Sequence, residues 1–191
     1  MTTVEEFVEE RYEMPEGGRW CELVAGEAVQ LDPPDDRHST IVLNLTKAIG
    51  ECLQRQQETS QAAYACYELG LVTSRDPDTV RCPPVSLFVG GQAFAEMDRE
   101  WTETQPDLVI ELATSPMRRT AMADRVLEWH QWGVPLVWVV DSTEKSVHVA
   151  RPGEVVEPRT LNQSVSGEQI LPALEIPVRE LFVEPEWWTT R

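Results

Sequence analysis

Apolar and polar positions alternate along this chain in patterns that resolve into a short series of elements. The most informative stretch is PDLVIELATSPMRRTAMADRVLEWHQWG, Pro106 to Gly133. Its first part, Leu108 to Leu112, is an apolar run interrupted by one charge, Glu111. Read as a strand, it puts Asp107, Val109 and Glu111 on one face and Leu108, Ile110 and Leu112 on the other, because side chains alternate with a period of two. Ser115-Pro116 follows, a capping hydroxyl with proline at the first helical position. Gly133 suits the left-handed residue that ends a helix. Between them Arg118, Met122, Arg125, Trp129 and Trp132 recur at helical spacing, and Val126 lies on the same face. The pattern predicts a central strand over 107–113, a helix over 116–132 and a further strand, LVWVVD, over 136–141 of the same sheet.

The remaining segments are read in the same way. Residues 2–13 form a short amphipathic helix capped by Thr2 or Thr3, with Val4, Phe7, Val8 and Tyr12 on one side. Trp20 to Leu31 reads as a hairpin turning at Ala25-Gly26, with Trp20, Glu22 and Val24 on one face. Asp35 or Asp36 caps a helix to about Gln57, whose stripe is His38, Ile41, Leu45, Ala48, Ile49 and Cys52. Tyr64 to Ser74 reads as one strand and Arg75 to Asp78 as a turn. Val80 to Val89 holds another strand, interrupted by Pro83-Pro84. Two missing ladder donors demand an edge, a bulge or an irregular segment there. Gly90 to Gln105 is a polar connection with a helical turn near Phe94. Lys145 to Ala150 pairs back on 136–141. Short strands and turns follow, and the tail 186–191 is either docked or loose. No repeat or linker divides the chain, so residues 1–191 are expected to form one α/β (α+β) domain.

Three positions carry candidate chemistry. A carboxylate at Glu111, inside an apolar strand, must be paired, metal-bound or neutral. Arg125 falls within the inward stripe of the next helix, which fits a structural ion pair as well as a functional site. Glu22 either points where Glu111 points or is an exposed hairpin residue. His38 sits mid-stripe, one turn into its helix, as a hydrogen-bonded core residue or a catalytic group.

Composition narrows the classes. No apolar run approaches the roughly 20 residues that span a membrane, and the acidic start MTTVEEFVEERYEM is not a secretory signal. Cys21, Cys52, Cys66 and Cys82 are scattered with no C-x-x-C pair, which argues against zinc and for reduced cysteines in the cytoplasm. The formal net charge of −17 weakens non-specific DNA binding. Arg118, Arg119 and Arg125 offer a local basic patch for DNA on one helix. A protein partner or a second copy of the chain is the other class that an acidic surface admits.

Three stretches, in order, carry a resemblance: CELVAGEAVQLDPP with RHSTIVLNL; PDLVIELATSPMRRTAMADRVLEWHQWGV; and LVWVVDSTEKSVHVARPG with LPALEIPVRELF. Over residues 3 to 184 the chain resembles the Uma-type family of restriction endonucleases. The resemblance implies a restriction-endonuclease-like fold, a mixed central sheet flanked by helices, and the PD-(D/E)XK arrangement of acids and lysine around Mg²⁺. Mg²⁺ needs oxygen ligands, which two carboxylates from neighbouring strands supply, and the lysine orients the attacking water. The family glutamate falls on Glu111, and the family's hairpin glutamate and helix histidine match Glu22 and His38. Asp107 matches the aspartate that opens the glutamate strand. The metal-binding aspartate, however, falls on Pro84, and the lysine falls on Arg125, a fixed cation that favours a bidentate carboxylate. The expectation is a pseudo-nuclease in which Arg125 pairs with Glu111, leaving Mg²⁺ with Glu111 and at most Glu22. The alternatives are a weak endonuclease in which Asp76, Asp78 or Asp107 fills the gap, and a non-enzymatic protein-interaction module.

Overall fold

The strand of Glu111 is the axis of the molecule. The computed structural model describes residues 1–56, 62–92 and 94–188. In chain order the elements are α1 (Val4–Arg11), β1 (Cys21–Val24), β2 (Glu27–Gln30), α2 (Asp36–Gln56), β3 (Ala63–Tyr67), β4 (Gly70–Ser74), β5 (Thr79–Arg81), β6 (Val85–Val89) and β7 (Trp101–Thr102). They continue with β8 (Leu108–Ala113), α3 (Pro116–Trp132), β9 (Leu136–Asp141), β10 (Ser146–Ala150), β11 (Glu157–Arg159), β12 (Ser164–Gly167) and β13 (Leu171–Pro177). All six residues of β8 are buried. It lies inside a six-stranded mixed sheet ordered β11-β10-β9-β8-β6-β3, parallel to β9 and antiparallel to β6.

The two faces of β8 meet different partners, as its alternation requires. Leu108, Ile110 and Leu112 pack with Ile41, Leu45 and Ile49 of α2 and with the C-terminal hairpin β12–β13. Val109 and Ala113 pack with Met122 and Trp129 of α3. Helix α3 starts where the hydroxyl of Ser115 accepts from the backbone N–H of Arg118, with Pro116 next. It stops at Gly133, whose φ of 111° only glycine adopts without strain.

A second sheet, ordered β2-β1-β5-β4-β7, covers the other side of α3. Helix α1 closes it from outside, burying Val4 and Phe7 against Leu23, Val72 and Val80. Thr3 caps α1 in a capping box with Glu6. The β1–β2 hairpin turns at Ala25 and Gly26, both with positive φ. Asp35 accepts from the backbone N–H of His38 and so starts α2. The expected end at Gln57 lies outside the described residues.

The single strand expected over Tyr64 to Ser74 is instead two. β3 belongs to the six-stranded sheet and β4 to the other, and the chain crosses between them at Glu68, where φ is 54°. The Val80–Val89 stretch divides in the same way into β5 and β6. Its crossing is Pro83-Pro84, where no ladder donor is needed. The two crossings lie side by side, and the Glu68 N–H donates to the Pro84 carbonyl at 3.4 Å. A turn follows Phe94, as expected, but the short strand β7 was not indicated by the pattern. In the tail, Glu186–Trp188 form a 3₁₀ turn, and 189–191 lie outside the described residues.

Candidate functional site

Glu111 points from β8 towards α3, and the first side chain it meets is Arg125. The Nε and Nη2 of Arg125 donate to one oxygen of Glu111 at 3.0 and 2.7 Å. The indole N–H of Trp129, one helical turn on, donates to that same oxygen at 2.8 Å. The other edge of the guanidinium holds Glu22 of β1, with Nη1 and Nη2 donating to its two oxygens at 2.6 and 2.9 Å. One cation thus joins carboxylates from both sheets. Glu22 also accepts from Arg81 at 3.1 Å and from the backbone N–H of Cys82 at 2.9 Å. Arg81 in turn holds Glu128 of α3 in a bidentate pair, which also accepts from Thr73.

Burial makes these contacts matter. Glu22 and Glu111 are 0% exposed and Arg125 is 7% exposed. Burial alone would raise the Glu22 carboxyl, but Arg125, Arg81 and the Cys82 N–H outweigh it and hold it at about 2. Burial would likewise favour loss of the Arg125 proton, and the two carboxylates reverse that and keep it charged. Two polar atoms beside this network have no partner: Oε2 of Glu111 and Nε of Arg118.

His38 sits beyond the end of β8, its Nδ1 3.4 Å from the hydroxyl of Thr114 and its ring edge-on to Trp20. Thr114 is three residues past Glu111, roughly 10 Å along the strand. Burial and then the charge of Arg118 hold the imidazole down to about 4, so it is neutral at pH 7. Pro84, His38, Trp20 and Arg118 line one small void of about 10 Å³, the space of one water.

The structure therefore gathers Glu22, Glu111 and Arg125 in direct contact and sets His38 and Pro84 beside them. It does not bring Asp107 in. Asp107 lies just before β8, four residues ahead of Glu111 and roughly 13 Å away along the chain, and its carboxylate accepts from the Val89 N–H at 2.7 Å. Burial raises that carboxyl. Nor do the turn acids reach Pro84: Asp78 accepts from the first N–H of α1 and from Arg75, and Asp76 sits beside it. The arginines of α3 do not form an exposed patch either. Arg118 and Arg125 are buried because they lie on the inward stripe, and Arg119 is engaged by Asp141 at 2.9 Å through two bonds.

Sequence reasoning missed Arg81, Glu128 and Trp129 as members of the network. Trp129 stood on the inward stripe of α3 and so was within reach of a period argument. Arg81 stood three residues before Pro84, but nothing local linked it to Glu22, 59 residues away.

Comparison with known proteins follows the same lines. A solved structure described as a putative nuclease belonging to DUF820, from Anabaena variabilis ATCC 29413, matches with a TM-score of 0.75 at 23% identity. The match covers 95% of this chain and 98% of that one, so the two share a nuclease-like fold. No curated protein matches. The sequence profile of the Uma2 family, whose description reads "Putative restriction endonuclease", matches residues 4–179. The chain belongs to that family.

Proposed function

We propose that this protein is a pseudo-nuclease, a PD-(D/E)XK scaffold whose catalytic metal has been replaced by an internal cation, Arg125. One observation carries the reading: Arg125 makes four hydrogen bonds to Glu22 and Glu111, the two buried carboxylates that would otherwise hold the ion. A magnesium ion requires near-octahedral oxygen ligands. Here Glu22 has both oxygens engaged, Glu111 has one oxygen free, and Pro84 brings no side-chain ligand. Among the described residues no three acidic, histidine or cysteine side chains are grouped as a metal would need. That donor set does not fit the ion, and no hydrolytic step is routed through it. Arginine is also a poor substitute for the lysine, because it stays protonated and its planar fork is already saturated by carboxylates.

DNA is the partner that the family description points to. Contact with it has to come from a surface other than the α3 arginines, two of which are buried. The four free cysteines suit a reducing cytoplasm.

The test is a plasmid nicking assay with Mg²⁺ or Mn²⁺ on the wild type beside Glu111→Ala and Glu111→Gln. The reading expects wild-type nicking no faster than that of either variant. Robust wild-type cleavage that disappears in a still-folded Glu111→Gln protein would overturn it. It would establish instead an active endonuclease with a rearranged carboxylate set.

A further inference from the structure

On the opposite side of the six-stranded sheet, the α2 side, a cavity of about 350 Å³ opens where β9 ends. It is lined by Arg37 and Thr40 of α2, by Ser142, Thr143 and Lys145 of the β9–β10 turn, and by Phe182 and Glu184 near the C-terminus. Its volume is at the lower end of the roughly 300–1,000 Å³ typical of small-molecule sites. Past Arg37, Thr40 and Glu184 it continues into a second lobe bordered by Asp36 and Trp188. The cavity lies off the carboxyl ends of the parallel pair β8 and β9, where open α/β sheets place ligands.

Two features bear on what this cavity could hold. The chain has only 16 basic residues against 33 acidic ones, and Arg75, Arg81, Arg119, Arg125, Arg151 and Arg159 are all committed to ion pairs. Arg37 and Lys145, both exposed, have no ion-pair partner among the described residues, a state they share with Arg19, Lys47 and Arg99, and these two stand together at this cavity. The second feature is Ser142. It is 4% exposed, lies in the cavity wall, and its hydroxyl has no hydrogen-bond partner. A buried hydroxyl left unsatisfied is costly, and a water or a ligand entering the cavity would satisfy it.

We infer that this cavity binds a 5′-phosphorylated nucleotide. Arg37 and Lys145 supply the two charges that a phosphate dianion requires, and Ser142 and Thr143 supply hydroxyl donors beside Lys145. Glu184 stands between the lobes as the acceptor for ribose hydroxyls, the role a carboxylate takes in dinucleotide sites. Ile41 and Phe182 offer the base an apolar wall in the first lobe. Glu184 and Asp36 would repel a bare phosphate, so the sugar and base contribute to recognition. The same chemistry comes from two sources, a free mononucleotide and the 5′-terminal nucleotide of a strand. The site is independent of the Arg125 network, which lies on the α3 side of the sheet.

Calorimetric titration in the absence of divalent metal tests this. The ligands are adenosine monophosphate, adenosine, inorganic phosphate, and a short oligonucleotide with and without a 5′-phosphate. The expected result is binding of the monophosphate at submillimolar to millimolar concentration and weaker binding of adenosine and of phosphate alone. Lys145→Gln and Arg37→Gln, both surface changes, should each weaken binding about tenfold, the loss of one charge-assisted bond. Unchanged far-ultraviolet circular dichroism checks that the variants fold. A response to the phosphorylated oligonucleotide that exceeds the monophosphate assigns the site to strand ends, and the reverse assigns it to free nucleotides. No binding of any phosphorylated ligand into the millimolar range would overturn the inference. So would equal binding of adenosine and its monophosphate, or binding unaffected by both substitutions.

Discussion

At the scale of single residues, the network is a set of charges whose worth lies in their being together. Taking Glu22, Glu111 or Arg125 out of water costs several kcal/mol each, and the attraction among them repays this only while every partner is present. Glu111→Ala would strand Arg125 with half its partners and leave the Trp129 indole N–H unpaired. The expected loss is ~3–5 kcal/mol of stability, read as a shift of the urea midpoint without a change of slope. A loss below about 1 kcal/mol would mean that the pair is not closed in solution. His38 supplies a separate, pH-dependent prediction. Its folded value, about 4, lies below its ordinary 6.5, so between those values the unfolded chain binds the proton more readily. Stability from this residue is therefore complete above pH 6.5 and declines as pH falls towards 4, by on the order of 3 kcal/mol at most. Glu22 is lowered from 4.5 to about 2, so its own contribution is lost only below pH 4.5. Denaturation at pH 7, 5.5 and 4.7 thus separates the histidine from Glu22, and His38→Gln should flatten that part of the profile. A slope that survives the substitution would assign the titration to another group.

At the scale of elements, the strand–helix unit β8–α3 sets the position of everything in the site. Ser115 is the joint. Its hydroxyl accepts from the Arg118 N–H and donates to the Asp32 carboxylate, tying the start of α3 to the loop after β2. Ser115→Ala should cost about 1–2 kcal/mol, the upper part of the range for a lost N-cap, because a second bond goes with it. Thermal unfolding with a midpoint unmoved by the change would contradict this. The unit was legible in the sequence because every signal for it is local: a run with period two, a Ser-Pro start, a stripe with period 3.6 and a glycine stop. The β1–β2 hairpin and the inward turn of Arg125 were legible for the same reason. The crossing of β3–β4 and β5–β6 between two sheets was not. Tyr64 to Ser74 is β-forming on both sides of Glu68-Leu69-Gly70, a short interruption that alone does not announce a change of sheet, and the crossing there lies beside the one at Pro83-Pro84. Glu22 is similar. Parity placed it on one face of its hairpin, but which helix that face meets depends on how two sheets enclose α3, a relation spread over 103 residues of chain. Asp107 misled for the opposite reason: it shares a strand face with Glu111, yet two pleats of separation carry it to the other end of the strand.

At the scale of the molecule, an acidic chain of net charge −17 should attract divalent cations somewhere, so metal binding has to be separated from metal at the Arg125 site. Thermodynamic linkage makes that separation. An ion that binds only the folded state stabilises it by RT ln(1 + [L]/Kd), about 1.4 kcal/mol at a concentration ten times Kd. For a chain of 191 residues that corresponds to a shift of roughly 3–6 °C in the unfolding temperature. With Arg125 in place, both carboxylates are satisfied, and Mg²⁺ should move the midpoint no more than NaCl of matched ionic strength does. In Arg125→Gln the two buried carboxylates face each other with their cation gone. The apo protein should be destabilised, one carboxyl should take up a proton, and added Mg²⁺ should restore several degrees that NaCl does not. The triple change Arg125→Gln, Glu22→Gln, Glu111→Gln keeps the shape of the site and nearly all of the surface charge, so it should lose the magnesium-specific gain. Under the proposed function, arginine is the resident counter-ion, and the magnesium response is expected only when it is removed. A wild-type midpoint that rises with Mg²⁺ well beyond the salt control, and fails to rise in Glu111→Gln, would place a metal beside Glu111 despite the ion pair. That result would overturn the pseudo-nuclease proposal.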